Sequence, residues 1–113
     1  MLVIDKFSVE IETAAGSDHR PRFSFNGHVT DFDGSEGGTA SGQTFRGSFE
    51  PYSFPHELTL LGPDAGDWRI RRIRVSFETS ARGTYVVEFG SVTLDGTTAA
   101  DIWRPPPQPV YDV

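Results

Sequence analysis

Asp31, Asp33 and Glu36 fall close together in the segment DFDGSEGGTASG, beside Ser35 and a run of small residues. Carboxylates so spaced, with hydroxyl and backbone carbonyl oxygens at hand, form the oxygen-rich donor set that calcium selects. The order is not that of an EF-hand, because Gly34 follows Asp33 directly instead of falling at the sixth loop position. The segment from Asp33 to Gly42 reads as a loop, and calcium is the one cofactor whose donors it supplies. Asp, Gly and Ser are equally the ordinary residues of surface turns.

A second constellation is the row Arg69, Arg71, Arg72 and Arg74 in WRIRRIRVSFET. Guanidinium forks match oxyanions and carboxylates in two-pronged geometry, so the row suits an anionic ligand. The competing expectation is internal neutralisation, with Glu78 and Glu88 on adjoining hairpin strands and Glu10 and Glu12 on the first strand as cross-strand partners.

Catalytic patterns are absent. His19, His28 and His56 are scattered without an HxH or HExxH spacing, and no GxSxG elbow frames any serine. With no Cys, thiolate nucleophiles, thiolate metal sites and disulfides are excluded. A domain of this size also has little material for the carboxylate-lined cleft of a glycosidase. The chain therefore reads as non-catalytic.

Aromatic residues outside the alternating positions are Phe32, Tyr52, Phe54, Trp103 and Tyr111. Such side chains anchor protein interfaces or stack on sugar rings, and both roles need them exposed. Phe32 sits between two aspartates, while Tyr52 and Phe54 lie between Pro51 and Pro55. The plainer role for these rings is closing an end of the core.

The elements that must position these groups are strands. No window keeps apolar residues at helical spacing, whereas Phe7, Val9 and Ile11 alternate strictly with Ser8, Glu10 and Glu12. In the arginine segment Trp68 and Ile70 share one parity and Ile73, Val75 and Phe77 the other. A strand burying both sets needs one extra residue near Arg71 and Arg72, which is a β-bulge. A second strand is expected to bury Phe23, Phe25 and Val29, with Gly27 marking a bulge and His28 on the polar face. A third carries Phe45, Gly47 and Phe49, and a short fourth holds Leu58 and Leu60, with His56 in phase. After the bulged strand, Ser80 to Gly83 turns the chain. The next strand changes parity at Gly90 and Ser91, and Asp95-Gly96 leads to a short edge strand from Thr98 to Trp103.

Seven short strands at this spacing predict a single-domain antiparallel β-sandwich over residues 1–103, Greek-key or jelly-roll-like in connection, with a barrel as the alternative. Residues 104–113, RPPPQPVYDV, are expected as an extended polyproline tail, because proline cannot donate to a sheet. The formal net charge of −6 disfavours nucleic acid and anionic membrane as partners. The first residues hold Asp5 and Lys6 where a signal peptide would be apolar, which predicts a cytoplasmic protein, with secretion left open. Together these features predict an interaction or assembly module that uses its tail and exposed aromatics to bind a protein partner or itself. The alternative is a calcium-dependent carbohydrate-binding module with the acidic segment as its metal site.

Overall fold

Strict alternation from Phe7 to Ile11 places three apolar side chains on one face of the first strand, and each is buried to 2% exposure or less. In the computed structural model, which describes residues 3–16, 18–80 and 83–103, this strand is β1 (Ile4–Ala15). It is followed by β2 (Arg22–Phe25), β3 (His28–Asp31), β4 (Gly34–Gly37), β5 (Thr44–Phe49), β6 (Leu58–Leu60) and β7 (Trp68–Thr79). The series ends with β8 (Gly83–Phe89), β9 (Val92–Leu94) and β10 (Ala100–Asp101).

Two antiparallel sheets form. One has the order β4-β5-β1-β7-β8, with β9 also on β7, and the other the order β10-β6-β2-β3. They pack as a β-sandwich around a single apolar core, so the barrel alternative falls away. Among the described residues no helix is long and apolar enough to cross a membrane. The expected tail, residues 104–113 with Tyr111, lies outside the described residues.

The bulge sits where the parity slip demands it. Glu12 faces Arg72 and Thr13 faces Ile70, so Arg71 is the additional residue in β7. On the other side of β7 the partner breaks at the same level: Ile73 faces Phe89 and Ile70 faces Val92, with Gly90 and Ser91 between. Trp68, Ile70, Ile73, Val75 and Phe77 consequently all face inward and are buried.

The three strands beyond the seven expected have local causes. Asn26 and Gly27 take left-handed backbone angles, φ 52° and 86°, and make a two-residue hairpin that splits the second strand into β2 and β3. The reversal changes parity: Val29 pairs with Ser24 on the outer face and is 58% exposed, not buried with Phe23 and Phe25 as expected. Residues 34–37, expected as loop, pair with β5 as the edge strand β4. The break at Gly90 separates β9 from β8.

Phe7 is the hub that joins the sheets. Its ring meets Phe23 edge-on at 5.1 Å and lies 5.9 Å from Phe49, 6.3 Å from Phe25 and 6.4 Å from Phe32. Phe32 is therefore a core residue, 6% exposed, and not the surface anchor expected from its acidic neighbours. Gly47 makes room for it: a Cβ there would lie 2.8 Å from the Phe32 ring and 2.9 Å from Phe45.

Asn26 ties the hairpin to the following segment. Its side-chain amide donates to the Phe54 carbonyl at 2.8 Å, and its Oδ1 accepts from the amides of His56 at 2.6 Å and Glu57 at 3.0 Å. His56, expected to be in phase with Leu58 and Leu60, is turned out to solvent ahead of β6.

Two substitutions test this packing. Gly47→Ala should cost about 1–3 kcal/mol through overpacking against Phe32 and Phe45, read from urea unfolding. Asn26→Ala should lower stability by about 2 kcal/mol through three lost hydrogen bonds and the loss of a residue that tolerates positive φ.

Candidate functional site

The five-strand path of the larger sheet turns one face outward, and its antiparallel registers stack the outward residues into rows. One row is Glu36, Arg46, Glu10, Arg74 and Glu88, alternating in sign across β4, β5, β1, β7 and β8. At ~4.8 Å per strand it spans about 19 Å. Arg46 Nε lies 3.2 Å from Glu10. Arg72 reaches Glu12 at 2.6 Å, Glu10 at 3.7 Å and Glu88 at 3.8 Å, and Arg74 reaches Glu88 at 3.8 Å.

Two residues further along the strands a second row consists of small side chains: Gly34, Ser48, Ser8, Ser76 and then Val86. Lys6 faces Glu78, and Glu78 faces Thr84, on its far side. Short side chains between long charged ones leave an open depression of about 620 Å³ over the sheet. In its walls Arg46 is engaged by Glu10, and Arg74 by Glu88 beside it, pairs exposed enough to be worth little in stability.

The arginine row thus divides. Arg72 and Arg74 enter the ion-pair lattice with Glu10, Glu12 and Glu88, while Arg69 and Arg71 are exposed and form no ion pair with a described residue. Asp31, Asp33 and Glu36 are strung along the end of β3 and the extended β4. The backbone of Asp33 is bound to the Ser48 carbonyl, and Arg46 stands opposite Glu36. Among the described residues no group of three His, Asp or Glu gathers in metal-binding geometry.

Of the aromatic candidates, Tyr52 is 66% and Phe54 39% exposed, in the proline-bracketed break where exposure was expected. Tyr52 has φ 46° and donates its hydroxyl to Glu50 at 2.8 Å; that carboxylate raises its pKa by hydrogen bond and by charge. Ser53, next to it, bridges Ile4 through both backbone bonds. Trp103 instead packs edge-on against Phe77 at 5.2 Å and closes the core.

The aromatic-rich edge β8 was not singled out by sequence reasoning. Among the described residues it pairs only with β7. Its outward Val86 is 46% exposed, and its inward Tyr85, Val87 and Phe89 are only partly covered. Tyr85 lies against Phe77 at 5.1 Å, and burial pushes its hydroxyl up to about 12. The signal was present in GTYVVEF: β-branched and aromatic residues with a single charge and neither Lys nor Pro.

A polar cluster at one end of the sandwich was also missed. Trp68 Nε1 donates to the buried Thr13 hydroxyl at 2.8 Å, the His19 ring stands edge-on to Trp68 at 4.6 Å, and His19 Nδ1 lies 3.0 Å from Thr39 Oγ1. It satisfies the indole N–H inside the core and fastens the segment around His19 to it.

Compared with protein-family models, with curated proteins and with solved structures, the chain matches none. Its functional reading rests on these residues alone.

The Tyr85 environment sets an alkaline signature. The folded-state pKa is raised, so the unfolded chain ionises first: stability is intact below the ordinary tyrosine value of 10.0 and declines as pH climbs towards about 12. Tyr85→Phe should remove that share of the loss while keeping the ring contact with Phe77. Melting temperatures of both proteins from neutral pH to pH 12 would show curves that diverge only above about pH 10.

Proposed function

We propose that this domain is a non-catalytic assembly module that associates with itself through the β8 edge. The observation that carries the reading is the contrast among the sheet edges. β4 is four residues of Gly, Ser and Glu; β3 is four residues bounded by His28 and Asp31; β10 has only two residues. Short length and charge are the devices that keep exposed edges from pairing. β8 has seven residues, and its one charge, Glu88, is already engaged by Arg72 and Arg74. Among the described residues no strand lies on the side of β8 away from β7, and an edge of that length beside partly exposed Val86 is one that a partner strand would extend.

The outer face supports a non-catalytic role from the other direction. Arg46, Arg72 and Arg74 are engaged by Glu10, Glu12 and Glu88 on an open surface, which supports a reading without a general acid, base or nucleophile in an enclosed site. Exposed Tyr52 and Phe54 are available as further interface anchors away from β8.

Native mass spectrometry of the untagged chain should give a multiple of the 12.5 kDa chain mass. The double variant Thr84→Lys/Val86→Lys places two like charges on the edge and should shift that mass to a single chain. Because both side chains point outward, the melting temperature of the monomeric variant should stay that of a folded domain. Persistence of the multimer in the variant would move the interface elsewhere; a wild-type monomer across the micromolar range would end the reading.

A further inference from the structure

We propose that Asn26 is a latent modification site: the fold holds its side chain apart from Gly27, and opening of the β2–β3 hairpin lets it convert irreversibly to an aspartyl or isoaspartyl residue. The site lies on the smaller sheet, away from the β8 edge.

Asn26 is the single asparagine of the chain, and a glycine follows it. The backbone nitrogen after an asparagine can attack its carboxamide carbon, and glycine, which has no Cβ, obstructs that attack least. Asparagine counts among the thermolabile residues for this reason. In the step, Gly27 N bonds to Asn26 Cγ, the Cγ–Nδ2 bond breaks, and Nδ2 departs as ammonia with the proton that Gly27 N gives up. Water then opens the five-membered imide at either carbonyl, leaving an aspartyl residue or an isoaspartyl link. Water is the only co-reactant, and it has access: Gly27 is exposed, with nothing within 4 Å of where a Cβ would stand.

In the closed hairpin both reacting groups are held. The Asn26 carboxamide donates to the Phe54 carbonyl and accepts from the amides of His56 and Glu57, while the Asn26 backbone N–H donates to the Glu57 carbonyl at 3.0 Å. The Gly27 N–H donates to Glu57 Oε1 at 2.9 Å, an oxygen that the Ser24 hydroxyl also meets at 2.8 Å. The backbone opposes the reaction as well. Asn26 has φ 52°, and left-handed residues carry ψ of about +47°, which sets the following nitrogen anti to Cβ. Ring closure needs that nitrogen on the Cβ side, roughly half a turn about ψ, which the two-residue hairpin forbids while Phe25 stays paired with His28.

The product cannot restore the clasp. A carboxylate at position 26 still accepts from His56 and Glu57, but it has no hydrogen for the Phe54 carbonyl, and its charge stands beside the Glu57 carboxylate. An isoaspartyl link adds a carbon to the backbone of a two-residue turn and displaces the pairing of Phe25 with His28. Each opening long enough to react therefore leaves a permanent mark and a weaker join between the hairpin and residues 54–57.

Intact mass of the full chain reads the conversion, because exchange of amide for acid raises the mass and the chain has no other asparagine. Over days at mildly alkaline pH the chain in urea should convert at least about tenfold faster than the folded chain, since reaction needs the open state. Glu57→Ala, which frees the Gly27 N–H, should raise the folded-state rate several-fold and leave the rate in urea unchanged. Asn26→Asp, which mimics the product, should melt below the natural chain. No mass gain in urea overturns the site, and equal rates in urea and in buffer overturn its control by the fold. A folded-state rate unmoved by Glu57→Ala removes the clasp as the gate, and an unaltered melting temperature for Asn26→Asp refutes the weakening.

Discussion

The pairing of β1 with β7 is the constraint on which the rest of the structure depends. These two twelve-residue strands lie at the centre of the larger sheet, and β5, β8 and β9 each pair directly with one or the other. The Arg71 bulge keeps both halves of β7 facing the core, since β1 has no extra residue between Glu12 and Thr13. Without it, either Trp68 and Ile70 or Ile73, Val75 and Phe77 would turn to solvent, since a slip of one residue exchanges the faces of a strand. The inner face then supplies Phe7 to the aromatic cluster beneath the smaller sheet. The outer face supplies Glu10 and Glu12 to the ion pairs, so core and surface are set by one register.

Most of the β1 and β7 pattern was legible in the sequence, because two-residue alternation is a local property and the slip in WRIRRIRVSFET has a single economical explanation. The pairing of Arg72 and Arg74 with Glu10, Glu12 and Glu88 was legible for the same reason: strands with known faces can be matched by charge. Residues whose fate depends on a distant partner were less readable. Phe32 is flanked by aspartates and has no periodic neighbours; it is buried because Gly47, on another strand, leaves space for a ring. Residues 34–37 carry no apolar signal and become a strand only because β5 offers an edge. Asn26-Gly27 did carry a local signal, the strongest that hairpins have, and taking Gly27 as a bulge sent Val29 to the wrong face. The acidic segment suggested calcium from composition; Asp31 ends β3, Asp33 lies between the strands and Glu36 is in β4, a spacing along the chain that composition alone does not show.

The outer face and the β8 edge differ in how far their chemistry is satisfied. On the face, Arg46, Arg72 and Arg74 are engaged by Glu10, Glu12 and Glu88, beside a shallow trough lined by Ser8, Ser48 and Ser76. On the edge, the seven residues of β8 pair, among the described strands, with β7. Charge that is matched internally gives solubility and register but little affinity, whereas a long strand edge beside apolar area is a surface that a further strand can extend. That difference is why the functional reading centres on β8 and not on the arginines that dominate the sequence by eye.

The central pair also carries a consequence for the order of events during synthesis. β1 is made first, but its two neighbours, β5 and β7, lie far down the chain, and β7 ends only at Thr79. Until that point has been translated, Phe7, Val9 and Ile11 have no complete sheet to enter. Loop-closure entropy must be met before any long-range contact returns it, so a chain organised this way condenses late and nearly all at once. Its N-terminal strand waits as an apolar ribbon on the nascent chain, and the alternating glutamates on its opposite side keep that ribbon charged while it waits.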